Sequence, residues 1–235
     1  MTPEDRQVLA RDRALCRRGP VTQARIDDLA GQWLARLGPP DPAAEREALV
    51  LVDAGGRPAE PRCLAPRWLC HLLGLRHPCV HVMIWWSSPG LGPVIVCQVR
   101  SWTKRDFPGH LDISVGGHRV GDAAPYASAL REMREELGLT EADLVGGEMA
   151  PAGTYECTVQ DERTGFFDVE WRHVFVARVR DLSAVRFEDG EVGGLYLCPV
   201  AGATALLTQD RLAVADGLKF SLPLCLDYLS QRPTG

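Results

Sequence analysis

The sequence predicts a mixed α/β (α+β) fold: helices packed on a mixed β-sheet, with a helical extension at the N-terminus. Three observations lead there. Apolar residues recur at the helical period between Val21 and Leu37, short runs rich in Val, Ile and Trp follow from Ala48 onward, and one amphipathic helix, Ala124 to Leu137, lies among those runs. The 235 residues are 46% hydrophobic and 24% charged, which is enough apolar material for a core. The change of pattern divides the chain into an extension, residues 1–45, and a main domain, residues 46–235.

In the extension, Ile26, Leu29, Ala30, Trp33, Leu34 and Leu37 form one stripe. Thr22 suits the N-cap, and Gly38-Pro39-Pro40 stops the helix. A second short helix is expected from Pro42 through Glu47. Ala48 to Val52 is then a β-like run closed by the turn Asp53-Ala54-Gly55-Gly56. Cys79 to Trp86 and Pro93 to Val99 form a hairpin across the loop Ser87 to Gly92. Trp171 to Val179 and Gly194 to Val200 are further strands. Ala203 to Leu229 reads as mostly helical, interrupted at Pro223.

A net charge of −5 and a pI of about 5.7 exclude a sequence-independent binder of nucleic-acid polymers, which needs a basic surface. A small phosphorylated substrate stays allowed, because a pocket needs only a few local cations. The eight cysteines are scattered with no C-x-x-C pair, and they read as buried free thiols of a reducing compartment. The N-terminus has no apolar signal core, and no apolar run reaches the roughly 20 residues that a membrane span takes. A cytoplasmic location without a membrane partner is expected.

The chemistry is concentrated in Gly117 to Leu139, G-H-R-V-G-D-A-A-P-Y-A-S-A-L-R-E-M-R-E-E-L-G-L. Glu132, Glu135 and Glu136 are spaced i, i+3, i+4 and share one helix face. A hard divalent cation would relieve their mutual repulsion. Carboxylate oxygens completed by waters and phosphate oxygens are the pattern of Mg²⁺, with Mn²⁺ as the alternative. Arg131, four residues before Glu135, can orient it. Ala129, Met133 and Leu137 form the stripe to be buried, and Gly138 is placed as a C-cap glycine. R-E-x-x-E-E alone fits an ordinary solvated acidic face better than a functional site; the glycine-rich entry changes that balance.

Together these residues resemble the Nudix box, G-x5-E-x7-R-E-U-x-E-E-x-G-U with U apolar. Gly117, Arg131, Glu132, Met133, Glu135, Glu136, Gly138 and Leu139 match at the required spacing, and the first glutamate is replaced by Ala123. Asp122, one residue earlier, is a partial substitute and a candidate cap ahead of Pro125. The resemblance implies a Nudix-type α/β/α sandwich. It implies Glu135 and Glu136 as principal metal ligands, and Glu132 as a further ligand or the base for water. The backbone of Gly116 and Gly117 would approach the metal or the diphosphate, as the absence of a Cβ allows.

Upstream, Arg100 to His118 resembles the isopentenyl-diphosphate-isomerase branch, with its R-x3-K, aromatic-Pro-Gly and GH steps. The likeness covers about residues 48 to 200. His77 and His118 match histidines that bind a metal in the isomerases, whereas Gly116 stands where they carry a catalytic cysteine. The resemblance therefore implies a hydrolase: metal-activated water cleaves a diphosphate linkage in a nucleotide or other small phosphorylated metabolite. Arg100 and Lys104 are the expected phosphate contacts, Glu191 a second base, and Trp102 a surface for a ligand to stack on. The alternatives are the isomerase itself and a degenerate domain that binds ligand without turnover. His71 and His110 read as isolated, and no histidine spacing predicts a zinc site. Residues 1–45 are expected to cover a sheet edge, make a homodimer contact or shape the pocket.

Overall fold

The computed structural model describes residues 1–19, 21–38, 47–104, 106–121, 123–161, 165–187, 190–208 and 212–232. Two compact units emerge. One comprises Met1–Cys79, His118–Ala123 and Tyr155–Arg172; the other comprises Val80–Gly117, Ala124–Thr154 and His173–Gly235.

The first unit opens with α1 (Pro3–Arg17) and α2 (Gln23–Leu37). Thr2 and Asp5 form a reciprocal capping box on α1. Thr22 caps α2 as expected, accepting from the Arg25 amide, and Gly38 ends it at φ 78°. The buried stripe of α2 is narrower than expected: Ile26, Leu29 and Trp33 are inside, whereas Leu34 and Leu37 are exposed. The Trp33 indole donates to the buried Asp12 carboxylate at 3.2 Å, tying α2 to α1. The helix expected from Pro42 falls on positions outside the described residues. β1 (Ala48–Val50) pairs antiparallel with β2 (Leu64–Pro66), and α3 (Arg67–Leu73) follows, ended by Gly74 at φ 68°. Seven residues are too few to display a helical period, so α3 went unread in the sequence. Leu29, Trp33, Leu49, Leu69 and Leu73 share this unit's core.

β3 (His77–Ser88), which belongs to the second unit from Val80 on, pairs with β4 (Gly92–Arg100) from Ile84↔Val96 to Ser88↔Gly92. The strands thus run further into the expected loop than the sequence showed. β4 also pairs with β5 (Leu111–Asp112) and β9 (Val192–Pro199), and β6 (Val115–His118) pairs with β3. With β7 (Ala150–Asp161) and β8 (Phe166–Val179) the sheet order is β5-β4-β3-β8-β7.

Alternation along β3 defines the layers. Val80, Val82 and Ile84 pack in one core with Ala129, Met133 and Leu137 of α4 (Pro125–Leu137). His81 points the other way and meets Ser221 of α5 (Asp216–Ser230) at 2.8 Å. Helices therefore cover both faces, the α/β/α sandwich. Pro223 lies inside α5 and does not interrupt it. Buried Leu218, Leu222, Cys225 and Leu229 hold the helix on either side of it, so the missing N–H is a local loss. Ahead of α5, Val200–Leu207 is a 3₁₀-helix. None of the eight cysteines, all among the described residues, is in a disulfide, and seven are buried. No helix among the described residues is long and apolar enough to cross a membrane.

Candidate active site and metal centre

In the second unit, α4 starts at Pro125 behind Ala124, which supplies no side-chain cap; Asp122 lies outside the described residues. Ala129, Met133 and Leu137 are fully buried, and Gly138 closes the helix at φ 69°. That orientation sets Glu132 and Glu136, one turn apart, against the strand carrying Gly116 and Gly117. Glu136 is 3% exposed and accepts from the Gly116 amide and the Gln98 side-chain amide, both at 3.3 Å. The Glu132 carboxyl fills the space where a Cβ on Gly117 would stand, so a larger residue there would have to displace the end of that side chain. Arg131 bonds Glu132 and also reaches Glu135 at 2.7 Å. Glu135 is exposed. Among the described residues, no group of three ligands drawn from these glutamates has its atoms within 4.8 Å of one another.

The other expected residues of this unit are engaged with each other. The Arg100 guanidinium donates to Asp112 at 2.9 Å and to the Asp106 carbonyl at 3.0 Å. Lys104 pairs with Glu191 at 2.5 Å, which joins an expected phosphate contact to an expected base. Trp102 is 81% exposed, its ring lying over Gly109.

The first unit holds a second arrangement. His71 of α3, His77 of β3 and His118 of β6 have ring centroids 5.1 to 5.4 Å apart and ligand atoms within 4.8 Å of one another. His71 is therefore not isolated, and a histidine cluster exists that no spacing announced, because its members meet only through the tertiary fold. Asp168 and Glu170, two apart on β8, face it. Asp168 Oδ1 lies 3.6 Å from His77 Nε2 and 3.8 Å from His71 Nε2, and Glu170 Oε1 lies 3.6 Å from His118 Nε2. These separations are too long for hydrogen bonds, whose heavy atoms stand about 2.7–3.2 Å apart. Ligands on one ion at about 2.0–2.2 Å stand roughly 3–3.6 Å from each other, which the cluster approaches.

The protonation states of His71 and His77 fit a cation, whereas His118 and Asp168 would have to lose their protons to bind one. His77 Nδ1 lies 2.9 Å from the Leu75 carbonyl, which can only accept, so Nδ1 carries the proton and Nε2 presents a lone pair. Within the described residues, the buried Nε2 atoms of His71 and His77 and Oδ1 of Asp168 find no hydrogen-bond partner. Burial, reinforced by the His118 charge, pulls the His77 pKa down to about 4; burial and the neighbouring imidazoles push His71 well below its ordinary value. Burial opposes the charge of His118 too, but Glu170 and Glu47 outweigh it and raise its pKa to about 9. Burial works against the Glu170 carboxylate, yet Arg172 at 2.6 Å and His118 hold it ionised. Burial and Glu170 raise Asp168.

The family profile of the NUDIX domain matches residues 76–216, a span that contains α4 with its glutamates and Gly116-Gly117. The chain belongs to the Nudix family. An isopentenyl-diphosphate Delta-isomerase of Streptomyces coelicolor is 31% identical over 119 residues, 51% of this chain and 57% of the isomerase. The chain thus spans little more than half the length of that relative. Nudix hydrolase 3 of Arabidopsis thaliana is 27% identical over 71% of this chain and 21% of its own. A Deinococcus radiodurans crystal structure superposes with a TM-score of 0.56 at 21% identity, covering 76% of this chain and 99% of that one, a likeness of fold.

Sequence reasoning had not assigned His71, Asp168 or Glu170 to any site. A signal for the carboxylates existed: reading the strand from Phe166 instead of Trp171 puts Asp168 and Glu170 on one face. His71 carries no such signal, since α3 is short and its partners lie far along the chain.

Proposed function

We propose that the chain is a divalent-metal-dependent Nudix hydrolase that cuts a diphosphate linkage in a small phosphorylated metabolite, a nucleotide above all. Residues 46–235 form its catalytic domain and residues 1–45 an extension. The observation that carries the reading is the pair Glu132 and Glu136, buried against the Gly116-Gly117 strand with the Glu132 carboxyl in the space a Gly117 Cβ would take. Mg²⁺ or Mn²⁺ held by Glu132, Glu135 and Glu136 would neutralise the diphosphate and lower the pKa of bound water. Glu132 accepts the proton of the attacking water. Glu136 is kept in register by Gly116 and Gln98, and Arg131 keeps Glu132 and Glu135 oriented. Arg100 and Lys104 take phosphate oxygens in exchange for Asp112 and Glu191, and Glu191 serves as a second base.

The histidine–carboxylate cluster favours a second reading, the isomerase. Imidazoles with carboxylates suit Mn²⁺, Fe²⁺ or Zn²⁺ better than Mg²⁺, so His71, His77, His118, Asp168 and Glu170 would hold a separate ion of that kind. Gly116 weighs against alkene isomerisation, because it offers no side chain to move a proton.

The deciding experiment incubates the protein with Mg²⁺ and a panel of nucleoside di- and triphosphates, sugar nucleotides, dinucleoside polyphosphates, thiamine diphosphate and isopentenyl diphosphate. A Glu136→Gln variant runs in parallel. Release of phosphate, pyrophosphate or a monophosphate that the variant loses is the expected result. Conversion of isopentenyl diphosphate without phosphate release would replace the hydrolase with the isomerase. Ligand binding without any turnover would leave a binding module.

A further inference from the structure

We propose that the first unit contains a second ligand site, separate from the metal centre, for a phosphorylated small molecule with an apolar body. A cavity of about 1060 Å³ opens there, lined by the α1–α2 connection, the segment around the Asp53 turn, and outward residues of β7 and β8. Ligand pockets run from about 300 to 1,000 Å³, so the space suits a nucleotide-sized molecule. β8 separates the two sites. Phe167 and Val169 line the cavity, whereas Asp168 and Glu170, on the opposite face of the same strand, turn to the histidines. Phe167 packs so closely over Gly74 that a Cβ there would collide with its ring, which fixes the cavity wall.

The charges at the cavity indicate an anion. Four arginines line it: Arg57 is matched by Asp53 at 3.3 Å and Arg76 by Glu156 at 2.5 Å, while Arg17 and Arg18 make no ion pair among the described residues. Arg13 and Arg17 both stack on the Phe167 ring, at 4.8 and 5.4 Å from its centre. Among the described residues Arg13 donates to the Leu72 and Gly165 carbonyls alone, and burial together with the Arg17 charge lowers its pKa. Complementing the helix dipole accounts for basic residues at the end of α1, but not for two guanidiniums crowded on one ring with no carboxylate paired to them among the described residues. A phosphate accepted by Arg17 and Arg18 removes that repulsion with the bidentate geometry guanidinium favours, and the apolar body rests on Val169 and Phe167. The extension thereby supplies a wall and the cations of a binding site. The inference stands on these residues alone and does not depend on the hydrolase reading.

The test uses the whole chain in EDTA, with 8-anilinonaphthalene-1-sulfonate as an amphipathic fluorescent anion and inorganic pyrophosphate as its competitor. The dye should bind one per chain and pyrophosphate should displace it. Arg17→Ala combined with Arg18→Ala should weaken pyrophosphate at least tenfold, and Thr158→Trp, which fills the cavity, should abolish dye binding. Glu136→Gln and His77→Ala should leave both affinities unchanged, and melting curves verify that every variant is folded. Failure of pyrophosphate to displace the dye, undiminished affinity in the double arginine variant, or loss of affinity in Glu136→Gln would each overturn the site.

Discussion

The glutamates of α4 and the histidine–carboxylate cluster are assembled in opposite ways. Glu132, Glu135 and Glu136 lie within five positions and are brought together by the helical period alone. His71, His77, His118, Asp168 and Glu170 come from α3, β3, β6 and β8, and only the folded first unit joins them. The first arrangement is cheap to form, partly exposed, and bare of imidazole. The second buries several titratable groups and leaves three polar atoms without hydrogen-bond partners among the described residues. Local arrangements of this kind tolerate loss of their ion, whereas an assembled cluster becomes part of what the ion stabilises.

The largest expected effect breaks the local arrangement without touching a carboxylate. Gly117→Ala places a methyl group in the space of the Glu132 carboxyl, so the base must move. Activity should fall on the order of 10²–10⁴-fold, the contribution of a positioned acid–base group, with KM little changed. Gly116→Ala meets instead the flexible end of Ile113 and should cost far less. Equal losses in the two variants would mean that Glu132 is not the sensitive group.

Next comes the assembled cluster. His77→Ala should remove one equivalent of a Mn²⁺-, Fe²⁺- or Zn²⁺-type ion by elemental analysis, while Glu136→Gln retains it. Stripping that ion from the unaltered chain with a chelator should cost about 2.7 kcal/mol if the ion was present at about 100 times its Kd, a Tm fall of roughly 5–10 °C for a chain of this size. An ion content that falls in both variants would mean the two arrangements share one ion, and the contrast between them would collapse.

The same contrast governs what the sequence could show. α4, its C-cap glycine Gly138 and the Gly117 spacing are local, so period and motif displayed them; so were Thr22, Gly38 and the β3–β4 hairpin. Leu34 and Leu37 fit the stripe of α2 but are exposed, because burial depends on which neighbours α2 meets. His71 was opaque for the same reason: its significance comes from His118, 47 positions away. Pro223 shows the limit from the other side, a strong local signal overridden by the packing of α5.

A smaller effect is expected where an exposed pair guards the second unit's site. Lys104→Ala should raise KM about tenfold through loss of a phosphate contact, while stability moves by under about 1 kcal/mol, since pairs as exposed as Lys104–Glu191 contribute little. A raised KM together with an unaltered Tm would separate substrate binding from fold support. A change in Tm alone would make the pair structural.

The smallest effect concerns the caps, where the units differ once more: α4 begins on Ala124 without a side-chain cap, and α1 begins on a capping box. Asp5 accepts from the Thr2 hydroxyl at 2.7 Å, from the Thr2 amide at 2.8 Å and from Arg36 at 2.8 Å, which hold its pKa down to about 2. A carboxylate whose pKa is lower in the folded chain than in the unfolded one stabilises fully above the unfolded value, near 3.8, and loses that contribution as pH falls towards 2. Asp5→Asn should therefore be less stable than the unaltered chain at pH 5, and the gap should close between about pH 4 and pH 2 in urea titrations followed by far-ultraviolet circular dichroism. Because Arg36 lies on α2, the closing gap measures how far the ionised carboxylate holds α1 to α2. A gap that stays constant across that window would show that the box contributes through hydrogen bonds which Asn does not reproduce, and that charge plays no part.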